Sequence, residues 1–152
     1  MKTFYYKTAR AHSRLSNNKF NYWCNDAQHT INKIQNPSFE EVYQCLKKLA
    51  KEHKGVGELL IYDTMLWLGY KPTKLYLHRG TLVGYKNYCE YKEWPFNSTK
   101  KQLEYSDLHS NCNGVSFENL EDYFCVCKDD MKLLDETILK NKSVKQKCKI
   151  GC

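Results

Sequence analysis

From Glu58 to Leu68 the chain reads ELLIYDTMLWL, eleven residues with almost no polar face, bracketed by Gly55 and Gly57 before it and Gly69 after it. A helix that is apolar nearly all round must be covered nearly all round, so this segment predicts a central helix on which the rest of a small chain packs. It is too short to cross a bilayer, which takes ~18 or more apolar residues in succession. No longer run occurs elsewhere, so no membrane partner is expected. The surrounding stretch, Lys54 to Tyr85, carries five of the seven glycines, and it is where the chain has the means to turn sharply.

With 152 residues the expectation is one hydrophobic core and one domain over 1–152, all-α or mainly α. Pro37-Ser38-Phe39-Glu40-Glu41 spells a helix start. The Ser38 hydroxyl can accept from the Glu41 amide while the Glu41 carboxylate accepts from the Ser38 N–H. Val42, Cys45, Leu46, Leu49 and His53 then recur on one face, with Gly55 as the stop. Trp23, Ala27, Ile31 and Ile34 share helical spacing in an Asn-rich stretch. Ser116 is placed to cap a helix running to about Cys127, with Val115 and Leu120 at the positions of a hydrophobic staple. Met131, Leu134 and Ile138 mark a last helix within 129–139. Between these lie a short strand or helix start at Leu75–Leu77, a brief helix over 81–88 despite Gly84, and an irregular surface loop over 89–114. Residues 1–14 read as a basic, aromatic arm and 141–152 as a basic tail.

The formal net charge is +7, which suits an acidic partner such as nucleic acid and also serves solubility. The N-terminus lacks a secretory signal, so a cytoplasmic location is expected. Eight cysteines form none of the paired knuckles that converge on zinc, and buried free thiols are expected for most of them. No phosphate loop, zinc-protease helix, serine elbow or calcium loop occurs. Neither a metal nor a cofactor is expected.

The strongest functional signal is the turn itself. Glycines at 55 and 57 let the backbone approach another surface closely. The amides of Val56, Gly57 and Glu58, at the start of an apolar helix, favour a phosphate oxygen through unpaired N–H groups and the helix dipole. Lys54 adds charge beside them, and Lys71, Lys74 and Arg79 extend the patch if the 70s fold back. Such contacts hold a nucleic-acid backbone and read no bases.

Over residues 42–69 the segment resembles the helix-hairpin-helix element of DNA-binding and DNA-repair proteins. In that pattern one helix is followed by Gly-hydrophobic-Gly, here Gly55-Val56-Gly57, and then by an apolar helix. The resemblance implies DNA binding without sequence preference. The chain departs from the pattern at His53 and Lys54, where a hydrophobic residue and often proline precede the turn. It departs again at Ile61, where a small residue usually sits.

Two other readings stand beside it, and whether the protein is an enzyme is left open. A small enzyme acting on a phosphate- or carboxylate-bearing substrate would use His78 as general base, Arg79 as anion clamp and Asp63 to orient them. A protein-interaction module would expose an aromatic face. Tyr5, Tyr6, Tyr22 and Trp23, close in sequence to Lys7, Arg10, Arg14 and Lys19, also form the mixture that holds single-stranded nucleic acid.

Overall fold

The computed structural model describes residues 2–141, and the protein is mainly α-helical, with seven α-helices and one two-stranded sheet among those residues. The chain divides into two compact units, Met1–Pro72 and Thr73–Cys152.

The first unit contains α1 (Lys2–His12), α2 (Asn17–Asn32), α3 (Phe39–Ala50) and α4 (Glu58–Trp67). The segment read as an arm is therefore largely a helix, and α1 packs on α4 more extensively than any other element of the unit. The capping box at Ser38 is present as expected, with Ser38 N–H donating to Glu41 at 2.6 Å and the Glu41 amide donating to the Ser38 hydroxyl at 3.2 Å. The helix it starts ends at Ala50, short of the expected stop at Gly55. A succession of tight turns covers the interval, with His53 N–H donating to the Ala50 carbonyl and Val56 N–H to the His53 carbonyl.

Helix α4 is the central apolar helix that its composition demands, buried continuously from Leu60 to Leu66. Asp63 and Thr64, two of its interior polar side chains, both have hydrogen-bond partners. Trp23 Nε1 donates to Thr64 Oγ1 at 2.9 Å, and that hydroxyl donates to the Leu60 carbonyl at 2.6 Å. Asp63 is engaged by a histidine, described below. A buried hydroxyl or carboxylate without a partner would cost more than the helix gains by burying it.

The second unit contains β1 (Leu75–Tyr76), α5 (Arg79–Lys92), β2 (Gln102–Leu103), α6 (Phe117–Val126) and α7 (Met131–Asn141). The strand alternative at Leu75 is the one adopted. β1 pairs antiparallel with β2, Leu75 opposite Leu103 and Tyr76 opposite Gln102. Helix α5 is longer than the 81–88 expected, and Gly84 is the reason it can lie where it does. A Cβ there would stand 1.7 Å from the Phe124 carbonyl oxygen, so the glycine is what lets α5 and α6 touch backbone to backbone. Residues 89–114 are less loop-like than their sequence suggests. They include the end of α5, β2 and two 3-10 turns, and they bury Leu103, Leu108 and Cys112 in the core of this unit. Ser116 caps α6, its hydroxyl accepting from the Asn119 amide, and Val115 and Leu120 belong to the same core.

Cys24, Cys45, Cys89, Cys112 and Cys127 are not in disulfides, and all but Cys45 are buried, whereas Cys125 is disulfide-bonded. Burial pushes the Cys24 thiol up to about 11, against the pull of Arg10. The basic tail inferred after Asn141 lies outside the described residues, as do its lysines.

Candidate nucleic-acid interface

Helices α3 and α4 pack against each other and are joined by residues 51–57. Gly55 adopts φ +95°, a left-handed conformation that favours glycine. Gly57 is the N-cap of α4, extended at φ −102° and ψ 178°, and no side chain caps the helix. The caps of α2, α3 and α6 are by contrast serines whose hydroxyls accept from the first turn. The first amides of α4 therefore lack the side-chain oxygen that those helices have.

Lys54, Gly55, Gly57 and Glu58 are exposed and Val56 is half-buried. Lys47, Lys48 and Lys51 are exposed on the last turns of α3 and just beyond it. Lys47 lies 3.7 Å from Glu58, a surface pair that offsets the one acid at the start of α4. Residues 1–72 carry eleven Lys and Arg against six Asp and Glu, a net of +5, while 73–152 carry thirteen against eleven, a net of +2. Most of the basic excess thus belongs to the unit that holds the turn.

Two histidine–carboxylate pairs brace this unit. His53 Nε2 lies 2.7 Å from Asp26 Oδ2, tying the turn to α2. The His53 ring packs edge-on against the buried Trp23 at 5.3 Å and lies tilted by 40° against Tyr22 at 4.9 Å. His12 Nδ1 lies 2.7 Å from Asp63 Oδ2, tying the end of α1 to α4. Burial raises the Asp63 carboxyl above its ordinary range, and His12 pulls against that rise by hydrogen bond and charge. The sequence placed His53 on an apolar face, which hinted at a buried polar contact. Nothing local marks His12 or Asp26 as the partners, because each pair closes across tens of residues.

Of the residues chosen for an enzymatic site, Asp63 belongs to the first unit, and its carboxylate is engaged there by His12. His78 and Arg79 belong to the second. His78 is the N-cap of α5, half-buried, its ring stacked parallel to Tyr76 at 6.4 Å, and Arg79 is the exposed first residue of that helix. Lys71 is exposed in the first unit, and Lys74 sits 4.0 Å from Glu104 in the second.

The second unit also has a cavity of about 310 Å³, lined by Tyr85, Trp94, Phe96, Leu103 and the Lys100–Asp107 pair. Those two charges meet at 2.7 Å, and Tyr85 and Trp94 both donate to the Asp107 carbonyl. The cavity includes none of the residues singled out by sequence. No group of three or more side chains suited to hold a metal ion occurs among the described residues. Nor is any helix among them long and apolar enough to cross a membrane.

The class defined by these observations is a mainly α-helical protein with an uncapped glycine turn between two packed helices. Comparison with protein-family models, with curated proteins and with solved structures gives no match.

Proposed function

We propose that the protein binds nucleic acid without sequence preference through the turn between α3 and α4. The phosphate backbone meets the amides at the start of α4, and the exposed lysines at 51 and 54 supply charge. The observation that carries this reading is the N-terminus of α4. It opens on a glycine that has nothing within 4 Å of where a Cβ would stand, and it has no side chain of its own to satisfy its amides.

The test is Gly57→Asp, assayed for binding of labelled DNA and RNA over a range of salt. The extended N-cap geometry accepts aspartate without strain, and its carboxylate would occupy the amides that a phosphate would use. The expected result is an unchanged or slightly raised melting temperature together with lost binding. Wild-type affinity should fall steeply as salt rises, because phosphate contacts release counterions. Binding that survives Gly57→Asp would remove the turn as the site.

A further inference from the structure

We propose that Tyr22 is a stacking platform for an unpaired base, so that the partner is single-stranded nucleic acid; this rests on the reading of the turn as the site that meets phosphate. Tyr22 is 65% exposed, the most exposed of the large hydrophobic side chains described. A lone exposed tyrosine is ordinary, but this one is held in place. Its ring lies 4.9 Å from that of His53, and His53 is fixed by Asp26 at 2.7 Å and backed by Trp23, which is fully buried. A ring fixed on a buried support loses little freedom when a second ring stacks on it.

The platform and the turn share a residue. The His53 carbonyl accepts from the Val56 amide at 3.2 Å, so the side chain that supports Tyr22 belongs to the backbone that shapes the glycine turn. The charges around the ring favour a polyanion. Lys19 lies one turn before Tyr22 on α2, and Lys51 and Lys54 flank His53, all three exposed. Glu52 is the exposed acid among them, while Asp26, one turn after Tyr22, faces His53. Asn18 and Asn25, also exposed on this side of α2, offer amides to base edges. In a duplex the faces of each base are covered by its neighbours, whereas an unpaired base presents a face to an aromatic ring.

The experiment is fluorescence anisotropy on the full chain with labelled oligothymidylate about 12 nucleotides long and a duplex of the same length. It compares wild type, Tyr22→Ala, Tyr22→Phe and Gly57→Asp, with melting curves to confirm folding. Wild type should prefer the single strand. Tyr22→Ala should weaken single-strand binding by about 5- to 150-fold and leave duplex binding unchanged, while Tyr22→Phe keeps the wild-type affinity. Loss of single-strand affinity in Tyr22→Phe equal to that in Tyr22→Ala would overturn stacking, as would an intact affinity in Tyr22→Ala. If Gly57→Asp abolishes binding while Tyr22→Ala changes nothing, the turn stands and the platform falls. If wild type binds neither oligonucleotide, both fall.

Discussion

His12 Nδ1 sits 2.7 Å from Asp63 Oδ2, and this contact pins the last residue of α1 to the middle of α4. Both side chains are largely removed from water, so removing one partner leaves the other buried and uncompensated. His12→Ala should destabilise the protein by about 3 kcal/mol near pH 6, read from urea denaturation. The loss should shrink as the pH falls toward 4. The Asp63 carboxyl is raised by burial, so the folded state holds its proton more firmly than the unfolded chain does. The stability this contributes is complete below the unfolded carboxyl value and lost as pH rises through the folded one. Without His12 the rise is larger, so the variant's deficit must grow with pH across that window. A deficit that is flat from pH 4 to 6 would show that the pair does not act through charge.

Asp135 shows the opposite dependence. Its carboxylate accepts from Tyr88 at 2.8 Å, from Lys92 at 2.7 Å and from Asn111 at 3.2 Å, which joins α5, α7 and the 3-10 turn at Ser110–Cys112. Burial is the largest single influence and pushes the carboxyl up, but the three donors together hold it below its ordinary range. A lowered carboxyl contributes stability above its unfolded value and loses it as pH falls through the folded one. Asp135→Ala should therefore cost about 2 kcal/mol at neutral pH, since Tyr88 is buried and loses its acceptor. The difference from wild type should close as the solution is acidified below pH 4. Thermal melts at matched pH values decide it.

Gly84 tests the contact between α5 and α6. The Cβ of Gly84→Ala would fall 1.7 Å from the Phe124 carbonyl oxygen and 2.6 Å from its carbon, and neither backbone atom can swing aside. The helices would have to separate, at a cost of about 3 kcal/mol or more. A melting temperature within a degree or two of wild type would mean that the close approach is absent.

The two glycines of the turn should behave differently. Gly55→Ala meets a left-handed φ of +95° and the Leu15 Cδ2 atom at 2.8 Å, so a loss of about 1–2 kcal/mol is expected, mostly from the backbone. Gly57→Ala meets open space on an extended backbone and should change stability by no more than about 0.5 kcal/mol. Equal effects in chemical denaturation would contradict the conformations assigned to them.

The local elements were legible because their causes are local. The serine caps at 38 and 116, the spacing of Val42 and Leu46, and the largely apolar run of α4 each act within a few residues, and each yields the helix that it predicts. The glycine turn was legible for the same reason, but the Val56 amide, expected to be unpaired, donates to the His53 carbonyl at 3.2 Å, a contact the sequence did not announce. What the sequence could not supply were the partners that close over distance. From sequence, Asp63 could orient His78 or pair with Arg79, and the partner its own unit supplies, His12, was not foreseen. His12 comes from a segment whose composition read as an arm and which packs beside α4. Gly84 looked like a weakness in a helix until the backbone of Phe124 lay against it. Short-range hydrogen bonding and periodicity decide which residues become helix; which helix faces complete each other's buried charges and gaps is decided by packing, and that exists only once the chain has folded.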